Sequence, residues 1–146
     1  MDFYQNIYLK FSIGKNFKDI KIIMLLTPNS DELILVGFIP KSEITKISKN
    51  HLLNKGIGFL NNGRFIVNDE MLKEDEILKN KKILGKKIKI ELIIMARCVE
   101  YKIFLDEQNI IIKKLKFLNF SEDFIPIIRM KGYLDIIEIL DILYKK

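Results

Sequence analysis

Two side chains that carry much of metal and acid–base chemistry are almost missing from this chain. Cys98 is its only cysteine and His51 its only histidine. One cysteine excludes an internal disulfide and any multi-cysteine metal site. One imidazole excludes zinc sites that need two within a chain. Neither residue has a local partner that would make it a nucleophile or its base. Cys98, set among isoleucine-rich strands, reads as a buried inert thiol, and His51 as a surface or capping residue near a helix end.

Long apolar runs are also missing. The longest, IIMLL and ILVGFI, fall well short of the ~18 residues a membrane helix needs. The opening MDFYQNIYLKF has no basic segment followed by an apolar core, so it does not read as a secretory signal. A cytoplasmic protein without a membrane partner is the expectation. The G-x-x-x-x-G-K-[ST] and G-x-G-x-x-G spacings are absent, which sets aside nucleotide hydrolysis and dinucleotide redox chemistry. The acids between Asp69 and Glu76 lack the alternating oxygen ligands and glycine of a calcium loop. No catalytic residue, metal or cofactor is assigned on these grounds.

Arginine is scarce as well. Arg64, Arg97 and Arg129 are the only three among 25 basic residues, and Ala96 is the only alanine. Lysine and isoleucine dominate, as AT-rich codons would produce. The net charge of +6 points to acidic partners, but part of it follows from that bias. The same bias suggests an AT-rich source, such as a virus, a mobile element or an organelle.

What is present is strand-like. A domain of this size buries roughly 68–70% of its unfolded surface, enough for a self-supporting core. Phe3, Ile7, Leu9, Phe11 and Ile13 alternate with Tyr4, Asn6, Tyr8, Lys10 and Ser12, the period of a half-buried strand. The runs IKIIMLL and ELILVGFI flank the turn residues TPNSD, which predicts a hairpin of two strands covered on both faces. A short helix is expected after Pro40, capped by Ser42 and closed by Gly56. NNG between IGFL and RFIV is a strong hairpin turn. Asp69 to Lys79 has acids first and lysine last, as a helix dipole favours.

Residues 88–94, 99–105 and 111–117 alternate as a meander. At the C-terminus, Tyr133, Ile136, Ile137, Leu140 and Leu143 form a stripe opposite Asp135, Glu138 and Asp141, which predicts an amphipathic helix. The predicted class is α+β. It consists mainly of antiparallel β-sheet or a partly open barrel, with two or three short helices and a C-terminal amphipathic helix, in one domain over residues 1–146.

The stretch KNKKILGKKIKIEL carries Lys79, Lys81, Lys82, Lys86, Lys87 and Lys89 without a carboxylate among them. Lys114 and Lys116 extend the patch, and Tyr4 and Tyr8 offer stacking surfaces on the first strand. Lysines neutralise phosphates as point charges but lack the planar fork of arginine. The expected function is therefore non-enzymatic, sequence-independent contact with RNA, DNA or a ribonucleoprotein. The competing reading of the run is a solvated, aggregation-resistant edge. The alternative function is protein–protein binding through the terminal helix or sheet edges, as an inhibitor or assembly factor. A third reading uses Glu100 and Lys102: Glu100-Tyr101-Lys102 resembles the second half of the PD-(D/E)xK nuclease signature, whose acid holds Mg²⁺. No Pro-Asp stands upstream of it. Composition leaves the oligomeric state open.

Overall fold

The computed structural model describes residues 5–9, 19–46, 55–68, 70–72, 83–95, 98–116, 123–132 and 134–144. Among them are eleven strands: β1 (Gln5–Tyr8), β2 (Ile20–Thr27), β3 (Leu35–Pro40), β4 (Ile57–Leu60), β5 (Phe65–Val67), β6 (Glu70–Met71), β7 (Ile88–Ile94), β8 (Cys98–Leu105), β9 (Gln108–Lys116), β10 (Phe124–Met130) and β11 (Ile136–Tyr144). They form two antiparallel sheets. Sheet A runs β1-β10-β3-β4-β5-β6 and sheet B runs β11-β2-β7-β8-β9. The only helical segment among the described residues is a 3-10 turn, Lys41–Lys46. The molecule is a β-sandwich, not an α+β fold.

Alternation builds the shared core. β2, β7 and β8 bury every second residue, placing Ile22, Met24, Ile90, Leu92, Tyr101 and Ile103 against Val36, Phe38, Phe59 and Phe65 of sheet A. Each such side chain contributes roughly 1.5–3 kcal/mol relative to exposure. Tyr101 spans the gap. Its ring centroid lies 5.2 Å from that of Phe65 and 6.3 Å from that of Phe59, and its hydroxyl donates to the Val36 carbonyl at 2.9 Å. Burial raises its pKa above the usual phenol range, so the hydroxyl stays protonated.

The inner strands of sheet A, β3, β4 and β10, are buried on both faces, whereas its edge strands β1 and β6 are exposed. Leu35, Ile39, Leu60, Ile66 and Ile127 form a second cluster on its outer side, with Ile44 of the 3-10 turn packed on it. Gly37 and Gly58 pair directly in this sheet. A Cβ on Gly37 would stand 2.7 Å from the Gly58 Cα, so only glycine permits the approach. Sheet B differs. The outward residues of β2, β7 and β8 are only half-buried, which leaves this face as the accessible one.

Besides the fold class, four sequence expectations are corrected. The runs around TPNSD do not make a hairpin, because β2 lies in sheet B and β3 in sheet A. The connection crosses the end of the sandwich, as does that from β10 to β11, and Asp135 clasps the two. Its carboxylate, 7% exposed, accepts from the Asn29 N–H at 2.6 Å, the Ser30 N–H at 2.9 Å and the Ser30 hydroxyl at 2.9 Å.

The C-terminal helix is strand β11. Four isoleucines in nine residues favour a strand, and pairing with β2 supplies the partner. A bulge between Ile139 and Asp141 shifts the register. Ile137 before it and Ile142 after it pack on the core, paired with buried Leu26 and Ile22. Of the expected stripe, Ile136, Leu140 and Leu143 are exposed.

The helix after Pro40 is a single 3-10 turn, with residues 47–54 outside the described set. Gly56, at φ 115°, leads into β4 and donates its N–H to Asn68. Of the expected 69–79 helix, Glu70 and Met71 pair as a short strand with β5, and residues 73–82 lie outside the described set. The NNG hairpin and the β7–β8–β9 meander form as the alternation predicts.

Candidate functional site

Strand register arranges the outer face of sheet B in rows. Leu25 pairs with Lys89, and Lys89 with Phe104, so β2, β7 and β8 set an aliphatic, an ammonium and an aromatic group side by side. The Lys89 Nζ lies 4.5 Å from the Phe104 ring centroid, a cation–π contact. In the next row, Ile23 pairs with Glu91 and Glu91 with Lys102. Glu91 draws in both Lys21 and Lys89 at 3.7 Å.

The first row opens into a groove of 760 Å³ lined by Leu25, Lys86, Lys87, Lys89, Phe104, Asp106 and Glu107. Both rims are fixed by local backbone. Asp106 (φ 51°) and Glu107 (φ 65°) are the two central residues of the β8–β9 hairpin, between paired Leu105 and Gln108. Two positive φ values are what a two-residue hairpin with native twist requires, and asparagine–glycine usually supplies them. Here two acids occupy the strained positions and bring both carboxylates to the groove. On the opposite rim, Gly85 (φ 76°) donates its N–H to the Pro28 carbonyl at 2.7 Å, which anchors the loop carrying Lys86 and Lys87. The Lys86 ammonium meets Asp106 at 3.5 Å across the groove.

The residues of the expected phosphate track are described only in part. Lys79, Lys81, Lys82 and Tyr4 lie outside the described residues. Lys86, Lys87 and Lys89 share the groove. Lys114 pairs with Glu100 and Lys116 with Cys98. Four residues along β8 separate Glu100 from Phe104, about 13 Å at the usual strand rise. Tyr8 is on the other sheet. It pairs with Ile127, whose side chain belongs to the outer cluster of sheet A, so it shares no face with the lysines.

Glu100 and Lys102 face outward as expected, but they bridge each other at 3.9 Å. No group of three carboxylate, imidazole or thiol side chains gathers as a metal-ligand set among the described residues. Cys98 is half-exposed at the start of β8, not buried. His51 lies outside the described residues.

Sequence reasoning passed over Leu25, Phe104, Asp106 and Glu107. Its available signal was an aromatic residue at an outward strand position, two residues before a turn of two acids.

No protein-family model matches the sequence, and no curated protein matches it. Solved structures do resemble its fold. A legume lectin-like domain from Entamoeba histolytica matches with a TM-score of 0.52 at 13% identity, over 98% of this chain and 78% of that one. The homodimeric agglutinin CG-16 from chicken liver gives 0.49 at 10% identity, over 97% and 100% of the two chains. Sheep galectin-11 in complex with glycerol gives 0.41 at 8%, over 99% and 97%. The first of these likenesses shows a lectin-like sandwich fold and nothing finer.

The nucleic-acid reading is overturned on these findings. The fold resembles a legume lectin-like domain, and Tyr8 lies on sheet A while Lys89, Lys114 and Lys116 lie on sheet B. The protein-partner reading loses its terminal helix, which is β11. The nuclease reading loses its strand pair of metal ligand and free lysine to an ion pair.

Proposed function

We propose that this chain is a carbohydrate-binding protein, acting as one domain, that holds a saccharide in the groove on the outer face of sheet B. One observation carries the proposal: Phe104 stands between an aliphatic wall and two hairpin carboxylates in an open groove of 760 Å³. Sugars present C–H faces that pack on an aromatic ring, and hydroxyls that need paired donors and acceptors. Phe104 and Leu25 offer the apolar surface. Asp106 and Glu107 accept from hydroxyls, and Lys86 and Lys87 donate to ring and hydroxyl oxygens.

Lys89 has a positioning role. Held by Glu91 at 3.7 Å, it covers one face of the Phe104 ring. It thereby restrains the ring and leaves a donor beside it. The lectin-like sandwich supports this reading at the level of fold.

The test is a glycan microarray probed with the intact protein and with Phe104→Ala. The proposal expects binding to a subset of glycans that the variant loses while it still folds cooperatively, with an unfolding midpoint lowered by only a few degrees. Equal binding by both proteins would refute it.

A further inference from the structure

The charges of the groove point to the class of saccharide. Three lysines and two acids line it, an excess of one positive charge, in a chain of net charge +6. Two of these lysines are engaged, Lys86 with Asp106 at 3.5 Å and Lys89 with Glu91 at 3.7 Å. Among the described residues Lys87 and Glu107 enter no ion pair, although they line the same groove. The same outer face carries Lys21 on β2, Lys102 on β8, and Lys114 and Lys116 on β9, interspersed with Glu91, Glu100, Glu138 and Asp141, so the charge that selects an anion is that of Lys87 inside the groove.

We propose that the ligand is an acidic saccharide, whose carboxylate or sulfate group meets Lys87 while its ring rests on Phe104 and a hydroxyl donates to Glu107. This inference rests on the carbohydrate reading of the groove. A neutral sugar satisfies Phe104 and the carboxylates but leaves the Lys87 ammonium without a counter-charge. An anion on the same ring satisfies all three. Carboxylate and sulfate offer the same chemistry here: a fixed negative charge with several acceptor oxygens.

A microarray separates the sources and the readings. Each neutral oligosaccharide is printed beside counterparts carrying one uronate or sialate carboxylate, or one sulfate, and read at low and moderate salt. The expected result is stronger signal on an acidic counterpart than on its neutral parent, with the difference shrinking as salt screens it. Lys87→Gln should reduce the acidic signal about 2- to 5-fold, the size of one partly exposed ion pair. The neutral parent should lose less signal than its acidic counterpart, so that the ratio between the two falls. Whether the carboxylate or the sulfate form leads identifies the source of the charge.

Neutral parents that bind as well as their acidic counterparts would overturn the acidic-ligand inference and leave the carbohydrate reading standing. Acidic binding unchanged in Lys87→Gln would overturn it as well. Silence across every printed glycan would remove both readings.

Discussion

The Lys89 ammonium lies 4.5 Å from the ring centroid of Phe104, its directly paired neighbour across β7 and β8. The same ammonium reaches Glu91, two residues along β7, at 3.7 Å. One lysine therefore ties an aromatic platform to the charge lattice of the sheet and keeps the ring in place.

Removing the platform should separate binding from stability. Phe104 is half-buried on an outward face and is not part of either buried core cluster. Phe104→Ala is expected to abolish saccharide binding. Its cost in stability should be about 1–1.5 kcal/mol, below the 3–5 expected of a core phenylalanine. Binding assays and urea denaturation on the same preparation check both parts.

The hairpin acids should show the opposite trade. Glu107 holds φ 65°, where an L-residue is strained. Glu107→Gly is expected to stabilise the fold by about 1 kcal/mol while weakening saccharide binding. A rise in the denaturation midpoint with unchanged affinity would show that Glu107 is only a turn residue.

The inter-sheet tie of Tyr101 is structural. Its hydroxyl is the buried donor to the Val36 carbonyl at 2.9 Å. Tyr101→Phe keeps the ring packing and removes that hydrogen bond, which should cost about 1 kcal/mol. Saccharide affinity should not change, and isothermal titration beside denaturation tests this.

The clasp at the end of the sandwich should matter more. Asp135→Ala strips the partner from three donors of Asn29 and Ser30. A loss of about 2–4 kcal/mol is expected, since each unsatisfied buried group costs roughly 1–3 and water reaches part of the site. Gly132 belongs to the same junction. A Cβ there would run into the Ser30 hydroxyl and the Asp135 carboxylate, so Gly132→Ala should also destabilise the fold.

Local strand chemistry was legible in the sequence wherever alternation is unbroken. Ile88 to Ile94 and Val99 to Leu105 bury the residues their period marks, and NNG turns where glycine and asparagine allow it. The reading failed where tertiary structure decides. Nothing local to TPNSD distinguishes a hairpin from a crossover between sheets, because the distinction is made by Asp135, more than a hundred residues away. In β11 an exposed set of apolar residues, Ile136, Leu140 and Leu143, completed a helical spacing that the strand does not bury.

The groove was legible only in parts. Lys86, Lys87 and Lys89 stood out as charge, but Leu25 and Phe104 join them only through the β2–β7–β8 register. A charge count without that register predicts a phosphate track. With it, three of the lysines line a groove around an aromatic ring.

The most direct test of the central claim is an amide-shift NMR titration of the intact protein with a glycan that binds on the microarray. The account predicts saturable shifts centred on Leu25, Lys87, Lys89, Phe104, Asp106 and Glu107, and their loss in Phe104→Ala. Shifts confined to sheet A, or to the β1 and β11 edges, would contradict it.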